Sequence, residues 1–208
     1  MLRRFLPIFI TILLCHSFVF AGDLKDNLTL AGYIKNESSI RIQDFNSDLT
    51  KFKNIAQLSG EYVFDKDLVF FAKARYWYDS VYGFRDKYDD GQHYQGHVQR
   101  TDWLRDCYLD YTNGPWFLRM GKQQVAWGQA DGITILDRVN PVDLTEYWLQ
   151  DFVDMRIPLW MANINYAPKL NSNLQFLFIP DFEASTATYP NGPFLFYSTE
   201  RYENWRKA

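Results

Sequence analysis

Apolar and polar positions alternate with a period of two along most of this chain. From Gln57 to Phe64, the residues Leu58, Gly60, Tyr62 and Phe64 share one face, and Gln57, Ser59 and Glu61 share the other. After Asp65-Lys66-Asp67 the alternation resumes, with Leu68, Phe70, Ala72, Ala74, Tyr76 and Tyr78 opposing Val69, Phe71, Lys73, Arg75, Trp77 and Asp79. Helical apolar spacing would be three and four, so this pattern predicts strands. The same alternation runs through 103–111, 116–121, 160–166 and 174–178. With 28–43 and 55–64 to 68–79 ahead of these, seven strands are expected.

Two features favour a membrane setting. The predicted strands run about 9–12 residues, close to the ~9–11 a tilted strand needs to cross a bilayer, whereas soluble strands centre near five or six. The connections at 65–67, 112–115 and 167–173 are short, while 44–53, 80–101, 127–157 and the stretch from 181 onward are long. Short turns at one end and long loops at the other mark outer-membrane barrels. The expected fold is therefore all-β: an antiparallel up-and-down transmembrane β-barrel of which this chain supplies about seven strands, with a long helix-containing loop. Tyr62, Tyr76, Tyr78, Trp103, Tyr111, Trp116, Trp160 and Tyr166 would form the aromatic girdles. Single-chain bacterial barrels have even strand numbers from eight upward. The chain ends at Trp205-Arg206-Lys207-Ala208, without the terminal aromatic strand that barrel-assembly machinery reads. The expectation is that 22–208 form the N-terminal part of a larger barrel, with that machinery and the outer-membrane lipid as partners.

The N-terminus reads as a signal peptide. Arg3 and Arg4 precede an uncharged apolar stretch, and Val19-Phe20-Ala21 offers small residues where a signal peptidase reads, placing the cut before Gly22. Export to the outer membrane of a Gram-negative bacterium is expected. Removing 1–21 changes the net charge from −3 to about −5 and leaves Cys107 as the only cysteine, so the mature chain can form no internal disulfide. Seven Trp, fourteen Tyr and seventeen Phe in a chain of negative mean hydropathy (−0.33) argue against disorder. An acidic balance with no basic stripe argues against nucleic acid as a partner.

On the pleat, the polar face carries Gln57, Glu61, Lys73, Arg75, Asp106, Asp110, Arg119, Gln123, Asn163 and Asn165. Mixed charges suit the wall of a water-filled passage for a small solute, with Glu61, Lys73, Arg75, Asp106, Asp110, Arg119 and Gln123 as candidate pore-lining residues. The plainer alternative is that Lys73 and Arg75 pair with Asp106 and Asp110 across neighbouring strands and stiffen the wall.

The densest segment lies between 118 and 158. A strand carrying Arg119 and Gly121-Lys122-Gln123 runs into Trp127-Gly128, and Asn140-Pro141 and Arg156-Ile157-Pro158 follow. Pro141 as a first helical residue, Asp143 in the first turn, and Leu144, Trp148 and Phe152 four apart predict a helix over 141–155. A loop of this length can fold inward, making Trp127, Asp131, Arg138 and Asn140 candidate constriction residues. The G-[RK]-Q-x-x-x-W-G strand end, the following Asn-Pro and the proline before the next strand resemble an uncharacterised porin-like outer-membrane family similar in style to alginate-export barrels. The resemblance covers roughly 28–183 and implies a larger single-chain barrel with largely undefined substrates.

Other constellations carry less. His93 and His97, downstream of Asp89 and Asp90, have a spacing that suits a metal on a helix. Gly91 and Gly96 weaken that helix, and a solvated loop fits better. Asp181-Phe182-Glu183 reads as a solvated acidic loop. The sequence contains no G-x-S-x-G, P-loop, GxGxxG or CxxC, so no catalytic role, metal or cofactor is expected. A passive channel for uptake or export is the favoured function. A secreted, aromatic-rich β-sandwich binding carbohydrate is the alternative.

Overall fold

The computed structural model describes residues 8–10, 18–43, 46–84, 103–127, 139–146, 149–169 and 171–186. Its strands are β1 (Ile8–Ile10), β2 (Phe18–Lys25), β3 (Leu28–Gln43), β4 (Asn46–Asp65), β5 (Leu68–Asp79), β6 (Leu104–Asn113), β7 (Trp116–Gln123), β8 (Leu159–Lys169) and β9 (Ser172–Phe178). All pair antiparallel in one sheet, and each of β3 to β9 pairs with its neighbour in sequence. β1 and β2 lie on the same edge of β3, opposite Ile40–Ile42 and Leu28–Ile34 respectively. Among the described residues β9 pairs only with β8, so the up-and-down sheet is open, as a partial barrel requires.

β3 to β9 are the seven strands predicted from alternation, and β1 and β2 add two more. β2 spans the expected cut, since Phe18–Ala21 and Gly22–Lys25 belong to one strand. Cleavage there would leave only its second half against β3.

Two expectations need correction. The connection at 44–53 is not long: β3 pairs with β4 as far as Gln43 opposite Asn46. Its polar residues look like a loop, but Thr50 bonds Ser39 through its Oγ1, and Lys51 sits opposite Ser39, with Glu37 opposite Lys53. The helix over 141–155 is also absent among the described residues, where α2 (Phe152–Met155) is the one α-helical turn, a counterpart to the equally short α1 (Val81–Phe84). Asp143 is bonded against helix: its carboxylate accepts from the Thr145 amide at 3.0 Å and hydroxyl at 2.7 Å, while its own amide donates to the Met155 carbonyl at 2.7 Å. Such local bonding competes with helix.

Tight turns at Asp26-Asn27, Lys66-Asp67 and Gly114-Pro115 fall at one end, where β8 also passes into β9; the long connections after β5 and β7 fall at the other, where β3 and β4 stay paired to Gln43 and Asn46. Gly114 takes φ +55° in its turn, a conformation that glycine adopts without steric cost.

The sheet's two faces differ sharply. One face bears Ile34, Leu58, Tyr62, Phe70, Tyr76, Leu109, Tyr111, Trp116, Met120, Trp160, Phe176 and Phe178, all exposed, with Ile34 62 % and Phe176 59 % accessible. The other holds the charged and neutral polar residues together with Ile55, Phe71, Trp77, Tyr108 and Phe117. The segment 139–158 crosses this second face, which we call the strap face. Under the strap, Val125, Leu159 and Met161 form a small apolar cluster, joined by Val139, Leu177 and Ile179. A β-sandwich needs a second sheet on one of these faces, and the described strands form only one.

Candidate functional site

Register places the site. Opposed residues of an antiparallel pair point to the same face. Glu37 opposite Lys53, Lys53 opposite Asp79, Gln57 opposite Arg75, Lys73 opposite Asp106 and Asp110 opposite Arg119 therefore bring every strand from β3 to β7 into one polar wall.

The wall is paired internally. Lys73 reaches Asp106 at 2.9 Å, and Arg119 grips Asp110 through both Nε (2.6 Å) and its terminal nitrogen (2.7 Å). The Arg119 guanidinium also lies 3.8 Å from the centre of the Tyr108 ring, which stacks on Phe71. Gly121 is the residue opposite Tyr108, with φ +135°. A Cβ there would stand 2.2 Å from the Cys107 carbonyl and 2.7 Å from the Tyr108 Cα, so the close approach requires glycine. The cross-strand pairing anticipated from sequence is thus present for Lys73 and Asp106. Arg75 and Asp110 have other partners: Asp110 takes Arg119, and Arg75 pairs with Asp154 of the strap.

The strap is held by charge at one end and amide bonds at the other. Glu146 receives Lys53 at 2.6 Å and also Lys51, which in turn reaches Glu37 at 2.5 Å; Glu37 reaches Lys35 at 2.6 Å. Burial pushes the Glu146 carboxyl up, but the opposed charges and hydrogen bonds of Lys53 and Lys51 outweigh it and hold the group at about 2. The Lys53 ammonium lies 4.1 Å from the centre of the Trp77 ring. Arg105 donates to the carbonyls of Val153 (3.1 Å), Asp154 (3.3 Å) and Arg156 (2.8 Å), satisfying groups at the C-terminal end of α2 that the helix cannot.

Asn140 fastens the neck of the loop. Its Oδ1 accepts from the Val125 amide at 2.8 Å, and its Nδ2 donates to the carbonyls of Ile157 (2.9 Å) and Gln123 (3.3 Å). It therefore joins both arms of the loop, and its side chain is buried. Trp127 is exposed and donates through Nε1 to Gln175 at 2.8 Å. Asp131 and Arg138, also expected in the constriction, lie outside the described residues, as do His93 and His97.

All the candidate wall residues lie on the strap face, but their exposure differs. Glu61 is exposed; Lys73, Asp110 and Arg119 are half-buried. Arg75, Asp106 and Gln123 are buried, Arg75 against Asp154 of the strap, Gln123 beside Asn140 of the neck and Asp106 beside Lys73. Gln123 is wholly buried, with its Nε2 donating to the Met161 carbonyl at 3.0 Å. Asn163 accepts from Gln175 and Asn165. Asp181 is tied to the start of β8 by accepting from the Trp160 amide.

A family described as "Protein of unknown function (DUF1302)" matches residues 24–204. The chain belongs to this family. The DUF1302 match takes in every described strand from β3 to β9, the strap and the neck. No curated protein and no solved structure matches the chain.

Sequence reasoning missed Lys51, Lys53, Arg105, Glu146 and Asp154. Lys51 and Lys53 continue the period-two series through Ile55 and Gln57, so extending the alternation one turn upstream would have found them. Glu146 and Asp154 lie in a non-periodic loop, where no local pattern marks them.

Proposed function

We propose that the chain is the wall of a porin-like outer-membrane barrel, a passive channel for a small solute whose lumen is narrowed by the 127–157 loop. The observation that carries this reading is the two-faced sheet. Its bare side exposes contiguous large apolar residues far beyond what a monomer keeps in water, and its other side is charged. Leu68 to Tyr78 spans about 33 Å along the strand, or about 25 Å across the bilayer at a tilt of ~40°, which matches the apolar band of a barrel. Tyr62, Tyr111, Trp116 and Tyr166 sit near the tight-turn end of that face, and Tyr76, Tyr78 and Trp160 near the other, as interfacial girdles would. Level with Tyr78 the bare face carries the bonded polar pair Asn36 and Asn54. In lipid an open edge leaves backbone groups unsatisfied, so the working pore is a closed barrel to which this wall contributes.

The G-K-Q-x-x-x-W-G resemblance to porin-like outer-membrane proteins supports the same reading. In the proposed mechanism solutes diffuse along the charged face and pass the strap, which acts as a steric restriction. Two measurements test this. Assembled into a closed barrel, the protein should resist alkaline carbonate extraction and should conduct ions in planar bilayers, and deletion of 132–150 should raise that conductance. Recovery as a soluble periplasmic species contradicts the barrel. Unchanged conductance after the deletion contradicts the constriction alone.

A further inference from the structure

We infer that Lys51, Lys53 and Arg75 form a binding site for a dicarboxylate solute, and that Glu146 and Asp154 of the strap occupy it in the solute's absence. The inference rests on the channel reading and gives it a substrate class. The charges are the first argument. At this end of the wall the strands bring together five cations, Lys35, Lys51, Lys53, Arg75 and Arg105, against two carboxylates, Glu37 and Asp79. Arg105 is taken up by the carbonyls of Val153, Asp154 and Arg156, and Lys35 by Glu37. Lys51, Lys53 and Arg75 take carboxylates from the strap, Glu146 on the two lysines and Asp154 on Arg75. A solute bearing two carboxylates can occupy the same two places.

The second argument is an incomplete fork. Arg75 is buried, yet Asp154 engages it through one terminal nitrogen, and its buried Nε has no hydrogen-bond partner. A guanidinium is shaped to hold a carboxylate through two parallel bonds, as Arg119 holds Asp110 here. An unused buried donor beside a singly held carboxylate marks a place that a free carboxylate fills better than the tethered one. Third, the side chains of Glu146 and Asp154 meet these cations through charge, whereas the backbone beside Asp154 is held by Arg105 and the neck by amide bonds and apolar packing around Val125 and Met161. The two carboxylates can therefore exchange as side chains while the strap backbone stays fastened.

Equilibrium dialysis of labelled succinate against the full chain, folded in detergent, tests the site, with neutral succinamide as control. Succinate should bind and succinamide should not. The Glu146→Gln/Asp154→Asn double variant removes the internal competitor and should bind succinate at least tenfold more tightly. Adding Arg75→Gln to it should abolish the gain, while adding Lys53→Arg should keep it. Retention of the heat-dependent gel shift identifies variants that have folded. A folded double variant that binds succinate no tighter than the parent overturns the inference, as does equal binding of succinamide. Carbonate extraction and bilayer conductance involve no succinate, so the channel reading stands or falls separately.

Discussion

Replacing Glu146 by Gln should release the strap from the wall. Glu146 is buried and takes two charged hydrogen bonds, one from Lys53 and one from Lys51. Its carboxyl is held at about 2, against ~4.3 for a free glutamate; at 1.36 kcal/mol per unit the charged form gains about 3 kcal/mol from its surroundings. The loss of one partner from a buried ion pair is generally worth about 3–5 kcal/mol, and the lower end applies here because Lys51 keeps Glu37 and Lys53 keeps the Trp77 ring. About 3 kcal/mol corresponds to roughly a hundredfold rise in the open population of the strap. The assay is maleimide labelling of Met155→Cys, a position 2 % exposed in α2, in a background with Cys15 and Cys107 changed to serine. Glu146→Gln should raise the labelling rate on the order of a hundredfold. A rise of less than about threefold would refute the reasoning, because the ion pairs would then carry little of the strap's attachment.

The same position sets an acid limit. Because the folded-state value of Glu146 is depressed, its contribution is fully present above ~4.3 and is lost as pH falls through about 2. Labelling of Met155→Cys by dithiodipyridine, which reacts with thiols in acid, taken relative to the unfolded chain at the same pH, should be flat from pH 7 to 5 and rise only below about 4; release near pH 6 would contradict the assignment. Gly121→Ala places a methyl against the backbone of β6 at positive φ and should cost on the order of 3 kcal/mol or prevent folding, read as a lowered urea midpoint.

Most of the wall was legible in the sequence, and the physical reason is the pleat. A strand buried on one side and bare on the other repeats every two residues, so β3 to β9 and the facing of Lys73, Asp110 and Arg119 follow from alternation. The failures share a cause. Lys51 and Lys53 are buried against Glu146 of the strap and Thr50 against Ser39, and read without those partners they resemble an exposed loop. Leu144, Trp148 and Phe152 have helical spacing, but Asp143 binds Thr145 and so diverts the backbone, a contact that composition does not reveal. For Arg75 the alternation offers a place on the pore wall or a pairing with the carboxylates of the neighbouring strand, whereas its partner Asp154 is far along the chain. Contacts between a periodic wall and a non-periodic loop leave no local signature.

The central claim is that the bare face meets lipid and the strap face meets water. Spin labels placed singly at 108 to 111 on β6, in protein reconstituted into liposomes, test it by collision with oxygen and with a water-soluble nickel complex. The account predicts a period of two, with oxygen favoured at Leu109 and Tyr111 and the nickel complex favoured at Tyr108 and Asp110. Preference for the nickel complex at all four positions would contradict it.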